Sequence, residues 1–432
     1  MMSVLITSNN FWVGGRETYL ATYGDYLKQR GIKLSLIASS IFHNTPEAVT
    51  FESRWECGTD DYGQRWQKWL LTAERIIAQD RPSLIWAHHF ELLPAWLISR
   101  LYGIPLMTTF HGPLIGIGAA NDPMQALGMA LAIHRGDCVS GVSEEIKAGI
   151  KRLNPGKDVQ VIPNSIKLNG RTDAAPERSR PRKFVLITRP EKLQHIRQAV
   201  LLFNEYRKQT GGGKLVIAAG DRPNEPNANR NGHSPGLFAD IQRVLKCLGW
   251  KWCYEQGPRF LSSLRHIYFL GYTANARELI ADSDVVLGMG RVLLEGLAEG
   301  KVCVLVGYGA VHGVIKATTF EQYRRSNFSG RGIQPDSLQG VCNAILDYCR
   351  NNRNQEACHL NSISADACGA ELVESISKTM KSAKITDEDA ALAAELAEAL
   401  TARRLNSESV FSTICHRMNE AELASLYTLC FG

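Results

Sequence analysis

Short apolar, β-rich runs alternate with longer stretches of helical period along the first part of the chain. Residues 3–8, 33–38, 84–87, Leu106–Phe110, 138–142 and 159–162 read as strands, and residues 15–29 and 64–79 as helices. In the second helix Trp66, Trp69, Ala73 and Ile76 fall on one face, the spacing of a core stripe. A membrane contact is the competing reading of the two tryptophans. Apolar runs without polar alternation suit strands buried on both faces, so the βα alternation predicts a parallel sheet with helices on both sides.

Residues 167–182 (KLNGRTDAAPERSRPR) are polar, charged and proline-bearing, the composition of a linker. Beyond them a second βα series begins, with strands expected at 184–188, 214–219, 268–270, 284–287 and 302–306 and a helix over 194–208. Four parts follow: an N-terminal domain of residues 1–166, the linker, a second domain of residues 183–383, and a helical extension of residues 384–432. The extension opens on Thr386-Asp387-Glu388-Asp389, a start resembling a capping box. It carries Leu392, Leu396 and Leu400 on one stripe and closes with a helix near residues 420–429. Residues 221–236 (DRPNEPNANRNGHSPG) read as a polar surface loop, with a lid as the functional alternative. Glycine loops at strand ends in both halves point to a ligand cleft between two doubly wound domains.

Composition narrows the class. At 432 residues, 44% hydrophobic and 21% charged, the chain is globular and too long for one ordinary core. A net charge of +6 fits an anionic substrate or membrane surface. Nucleic acid as a main partner is disfavoured, since no tight Lys/Arg run interleaved with aromatics occurs. The start, MMSVLITSNNFW, has neither a basic region nor a cleavage site and reads as a first strand rather than a signal peptide. The 11 cysteines are scattered and never spaced CxxC, which predicts reduced thiols in a cytoplasmic protein; Cys342, Cys349, Cys358 and Cys368 match no zinc pattern.

Candidate chemistry collects at expected strand ends. The most informative stretch runs from Ile267 to Ile315. There a Gly288-Met289-Gly290 turn opens a helix that carries Glu295, an arrangement that lets a phosphate approach the backbone while a carboxylate accepts bonds from ribose hydroxyls. Gly14-Gly15 precedes the first helix, where paired glycines permit positive φ and close approach of a phosphate, or simply a tight turn; Arg16 and Glu17 follow. His111 in TTFHGP ends a strand, placed to hydrogen-bond a transferring group or to satisfy loop carbonyls. His88-His89 end the preceding strand, and Ser143-Glu144-Glu145 reads as a helix cap. Arg189 and Lys192 in LITRPEK follow a strand directly, a fork and a point charge suited to a diphosphate, and Gly220-Asp221 ends the next strand in the same way.

In order, these segments resemble the family-four retaining glycosyltransferases of GT-B architecture. SNNFWVGGRETYLATYGDYLKQRGIKLSLI, RPSLIWAHH, GIPLMTTFHG, CVSGVSEEIKAGI and VQVIPNSI are similar to the acceptor-side domain of that family. FVLITRPEK, KLVIAAGD, IYFLGY and the region from Val285 to Ile315 are similar to its donor-side domain, and NFSGRG at 327–332 to a subset in which a GMGR-type loop precedes the helix. The resemblance implies an α/β fold of two Rossmann-like doubly wound domains facing a cleft. It implies transfer of a sugar from a nucleotide diphosphate to a hydroxyl acceptor, with retained anomeric configuration and no metal or other cofactor.

By the same resemblance, His111, Arg189 and Lys192 are the catalytic candidates, with the two cations neutralising the leaving diphosphate. Gly14, Gly15, Gly290, Arg291 and Glu295 are the donor-binding candidates. The implied partners are a nucleotide-sugar donor and a carbohydrate or glycolipid acceptor, in the cytoplasm, with peripheral contact at the inner membrane face as an open option and surface polysaccharide or glycolipid synthesis as the pathway class. One departure stands out. Many members carry two glutamates on this loop and helix; here Gly290-Arg291 stand where the first is expected. A catalytically silent nucleotide-sugar or partner-binding protein is therefore the alternative from another class, and a nucleotide-sugar epimerase a third.

Overall fold

The computed structural model describes every residue except 1, 12–13, 42–47, 49, 58–61, 89–90, 115–122, 169–179, 190–191, 220–244, 246–247, 257–263, 272, 274–275, 352–356, 403–406 and 432. The chain forms two compact units, one of Met1–Ser165 with Ile363–Gly432 and one of Ile166–Ser362. Most of the expected linker, the polar insertion, His89 and Gly220-Asp221 lie outside the described residues.

Unit 1 holds strands β1 (Ser3–Phe11), β2 (Lys33–Ile41), β3 (Ser53–Glu56), β4 (Leu84–His88), β5 (Leu106–Phe110), β6 (Cys138–Gly141) and β7 (Val159–Val161). They form a seven-stranded sheet in the order β3-β2-β1-β4-β5-β6-β7, parallel throughout. The order reverses between β1 and β4, and ligands of open α/β sheets bind outside the strand carboxyl ends at such a reversal. Among its longer helices, α1 (Gly15–Lys28), α2 (Tyr62–Asp80), α3 (Leu92–Tyr102), α4 (Pro123–Arg135) and α5 (Glu144–Leu153) follow their strands. Strands β4 and β5 are buried at every position, as continuous apolar runs covered on both faces should be. Trp66 and Trp69 are core residues, at 2% and 0% exposure.

Unit 2 holds β8 (Lys183–Ile187), β9 (Lys214–Ala218), β10 (Ile267–Phe269), β11 (Val285–Gly288), β12 (Val302–Gly307) and β13 (Ala310–Val314). Its sheet runs β10-β9-β8-β11-β12-β13, with only β13 antiparallel among the described residues. Here the reversal falls between β8 and β11. Its longer helices are α6 (Leu193–Thr210), α7 (Arg291–Ala298), α8 (Ala317–Arg325) and α9 (Leu338–Asn351). The core joins Phe184, Leu186, Phe203, Leu215, Val285 and Val304 with Val341 and Ile345 of α9.

The chain then returns to unit 1 through α10 (Ala365–Ser382), α11 (Asp387–Thr401), α12 (Ser407–Cys415) and α13 (Glu420–Phe431). This differs from the expected boundary at residues 383 and 384, because α10 already packs on unit 1. A Cβ at Gly369 of α10 would come within 2.5 Å of the Tyr26 ring on α1. Thr386 caps α11 by accepting the Asp389 N–H, and Leu392, Leu396 and Leu400 are buried, as their spacing predicts. Strands β3 and β13 and helices α3, α4, α8, α9, α10 and α12 fall outside the expected elements. Helix α3 (LLPAWLISRLY) is buried along nearly its whole length, so it has no polar face to betray its period.

The described cysteines are all free thiols. No helix among the described residues is long and apolar enough to cross a membrane.

Candidate functional site

In unit 1 the candidates meet at the carboxyl ends of β1, β4 and β5. His111 follows β5 directly, and its Nε2 lies 2.9 Å from Nδ1 of His88, the last residue of β4. The His111 ring stands edge-on to Tyr19 of α1 at 4.8 Å between centroids. Tyr19 also packs near Trp86, whose Nε1–H donates to Thr109 Oγ1 at 2.8 Å, so the floor beneath the imidazoles is fixed. His88 is fully buried; burial first and the Arg16 charge second hold its pKa well below the usual histidine value, so it stays neutral near neutral pH.

The Gly14-Gly15 turn works differently from the expectation. Neither glycine lies in the left-handed region: Gly14 is extended at φ 176° and Gly15 is the first residue of α1. A Cβ at position 14 would meet Glu17 Oε2 at 2.7 Å, so a side chain there would displace the Glu17 carboxylate. Glu17, nearly buried, pairs with Arg16 at 2.8 Å, so the first helical turn brings a carboxylate and a guanidinium up to the loop backbone. Ser143 accepts from the Ile146 N–H at the start of α5, the capping role expected of it.

In unit 2 the candidates meet where β8 and β11, adjacent and parallel, end. Arg189 and Lys192 lie just beyond β8, both exposed, with the Lys192 N–H donating to the Arg189 carbonyl at 3.0 Å. At the end of β11, Gly288 and, two residues on, Gly290 take φ of 154° and 64°, values L side chains rarely adopt, and Gly290 caps α7. The free amide end of α7 therefore points toward the same edge as the two cations, the disposition that favours a phosphate. Arg291 and Glu295 are not independent: Arg291 Nε donates to Glu295 Oε1 at 3.0 Å, with the arginine side chain 9% and the carboxylate 29% exposed. Glu295 is the more open partner and keeps carboxylate capacity for a hydroxyl.

Two further segments back this turn. Phe328 accepts the Gly290 N–H at 2.8 Å, from a loop in which Asn327 and Phe328 both adopt left-handed φ near 54°. A Cβ at Gly307 would come within 2.2 Å of the Ser329 carbonyl and 3.6 Å of Met289. Thus the NFSGRG loop meets the Gly288–Gly290 turn and the Gly307 backbone directly, with Gly307 close to the Met289 side chain. Sequence reading missed His195 and Tyr308. Tyr308, also at positive φ, donates its N–H to His195 Nε2 at 3.1 Å, and its hydroxyl accepts from Arg331 Nη1 at 2.6 Å. The only legible signal was the pair of glycines, Gly307 and Gly309, that flank Tyr308.

A cavity of about 880 Å³ opens at the opposite, amino-terminal edge of this sheet, lined in part by Arg182, Lys183, Lys214 and Asp282. It shares no residue with the candidate site. No group of three or more His, Cys, Asp or Glu is placed to hold a metal ion among the described residues.

Two doubly wound sheets, each with glycine turns and charged groups at its strand reversal, define a GT-B type α/β fold. Residues 13–169, most of the first segment of unit 1, match the family model Glycosyltransferase Family 4. Similar solved structures include a glycosyltransferase from Rickettsia africae ESF-5, at 16% identity over 88% of this chain and 99% of that one, with a TM-score of 0.59. Anabaena Alr3699/HepE in complex with UDP and glucose is similar at 16% identity over 87% and 100% of the two chains, TM-score 0.59. The UDP-GlcNAc 2-epimerase from Methanocaldococcus jannaschii is similar at 13% identity over 87% and 100%, TM-score 0.54. No curated protein matches the sequence significantly.

Proposed function

We propose that the chain is a retaining glycosyltransferase that moves a sugar from a nucleotide-diphosphate donor to a hydroxyl acceptor, without a metal or other cofactor. The observation that carries the reading is in unit 2. A basic loop with Arg189 and Lys192 and a glycine turn with the α7 amide end and Glu295 leave adjacent parallel strands at the sheet's reversal. As the bond from the anomeric carbon to the phosphate oxygen breaks, negative charge develops on the diphosphate, and two fixed cations and a helix start lower its energy in advance. Glu295 suits the donor's ribose hydroxyls. His111, held by His88, suits the transferring sugar or the acceptor hydroxyl. A similar fold binds UDP and glucose in the Anabaena protein, which supports a nucleotide-sugar donor here. A cytoplasmic setting, a carbohydrate or glycolipid acceptor at the inner membrane face, and a role in surface polysaccharide or glycolipid synthesis complete the reading on family resemblance alone.

One observation favours a second reading. Arg291, where many relatives place a glutamate, is occupied with Glu295, as befits a silent protein that binds a nucleotide sugar without transferring it. A thermal-shift screen of UDP-, GDP- and ADP-sugars, followed by a transfer assay on the best donor, separates them. Stabilisation with sugar transfer supports the enzyme; stabilisation without transfer or hydrolysis supports the silent binder; acceptor-free conversion of the donor points to an epimerase. No stabilisation by any of the three overturns the donor site.

A further inference from the structure

The Tyr308 backbone amide sits at the end of β12 in a left-handed conformation (φ 49°), turned away from strand pairing. Its partner is a side chain from another element, His195 in the first turn of α6, with Nε2 at 3.1 Å. An amide N–H only donates, so His195 Nε2 carries a lone pair and a neutral ring holds its proton on Nδ1. Protonation of Nε2 would set N–H against N–H and break the link. The bond spans the β11 end. On one side lies Lys192, which precedes α6; on the other lies the Tyr308 turn, which holds Arg331 on the Tyr308 hydroxyl and over its ring at 5.0 Å and packs so near the β11 turn that a Cβ at Gly307 would lie 3.6 Å from Met289.

We propose that His195 is a positioning residue of the candidate donor site: in its neutral form it braces the Tyr308–Arg331 turn against the Lys192 end of α6, fixing the spacing of the cationic groups that meet the donor diphosphate. This rests on the donor-site reading above. His195 is 6% exposed, and burial first and the Lys192 charge second hold its pKa below the usual 6.5. The brace is therefore complete above that lowered value and is lost as pH falls through it. The surrounding titratable and charged groups leave few other candidates for such a transition. Lys192 caps α6 and Arg197 lies on it, Tyr308 and Arg331 border the turn, and His312 on β13 bonds the Gly307 carbonyl. Strand β12 carries Cys303, and α9, which packs on α6, carries Cys342, whose thiol is pushed up to about 12 by burial and then by Glu205, with Asp347, Tyr348, Cys349 and Arg350 further along it. Lys183 and Lys214 sit at the far, amino ends of β8 and β9.

The test compares wild type with His195→Gln, whose amide oxygen accepts the Tyr308 N–H without titrating, and His195→Leu, which has no acceptor. The probe is the tightest binder among UDP, GDP and ADP, titrated calorimetrically from pH 8 to pH 5, alongside hydrogen exchange of the peptide covering residues 304–312. His195→Leu is expected to weaken binding about fivefold or more and to speed exchange in that peptide. His195→Gln should restore both. Wild-type affinity should fall with acidification beyond the nucleotide's own phosphate titration, and His195→Gln should follow that titration alone. Wild-type affinity in a folded His195→Leu, or a Gln variant behaving like Leu, overturns the proposal. If His195→Leu does not fold, parallel pH profiles for wild type and His195→Gln overturn it. Failure of wild type to bind any of the three nucleotides is a different result, which removes the donor-site reading itself.

Discussion

Lys192 and Glu295 approach the same sheet edge from different strands, yet their surroundings give them different risks. Lys192 is exposed, so Lys192→Ala should leave the fold intact and remove one charge-assisted bond to the diphosphate. Donor affinity or turnover should then drop about tenfold or more. Glu295→Ala should cause a comparable loss while also stranding the Arg291 guanidinium, whose side chain is only 9% exposed. Calorimetric donor titrations with steady-state kinetics check both, and normal values in the two variants together would remove the basis for the site. His111 touches His88 and Tyr19 in unit 1, remote in sequence from Arg189 and Lys192, the cations proposed to meet the diphosphate. His111→Ala should therefore lower kcat more than donor affinity. A pure affinity loss would make it a binding residue. The positions of His111, Arg189 and Lys192 were legible because each follows a strand whose apolar run is unmistakable. The pairing of Arg291 with Glu295 also follows helical i, i+4 spacing, but how far burial commits the pair is a tertiary fact.

At the scale of elements, the start of α7 depends on backbone geometry that only glycine adopts readily. Gly290 has φ 64° and ψ −133°, and its N–H is received by a loop with two consecutive left-handed residues, Asn327 and Phe328. Strain of this kind persists where the surroundings over-determine it. Gly290→Ala should lower unfolding stability by about 1–3 kcal/mol and weaken donor binding with it. Urea melts and nucleotide titrations of the variant measure the two effects, and an unperturbed variant on both counts would show that the turn is not specified this tightly. The glycine turn itself was readable from the sequence. The NFSGRG loop was noticed as a motif, but its role in backing that turn needed the fold. Strand β13 is not legible in the sequence because the chain reverses through only two residues, Tyr308-Gly309, straight after β12.

Over the whole molecule, the C-terminal helices are part of unit 1 rather than an appendage. Arg135 at the end of α4 bonds Glu422 of α13 through Nε at 2.5 Å and Asp389 of α11 through Nη1 at 2.9 Å; Arg100 of α3 bonds Asp137 at 2.9 Å. The Glu422 side chain is 3% exposed. Burial pulls its pKa up, but the Arg135 hydrogen bond, the Asn419 backbone bond and the Arg135 charge outweigh burial and hold it below the usual 4.5. Its stabilisation is thus present above pH 4.5 and is lost as pH falls through the lower folded-state value. Glu422→Gln should destabilise the protein by about 3 kcal/mol, since it leaves Arg135 short of a buried counter-charge. It should also flatten the acid limb of the stability curve below pH 4.5. Denaturant melts between pH 3 and pH 7 check both, and an acid limb identical to wild type would show that this pair does not set it.

The sequence by itself determined the two βα series, the strand ends that carry His111, Arg189 and Lys192, the glycine turn before Glu295, and the cap and leucine stripe of α11. These are local matters of period, propensity and turn chemistry, which adjacent residues settle among themselves. Only the tertiary structure decided that residues 363–383 return to unit 1, that α3 and α4 lie buried beneath the C-terminal helices, and that His195 receives the Tyr308 amide. Each of those depends on groups far apart along the chain meeting in space, and helices covered on all sides keep no polar face from which such meetings could be read.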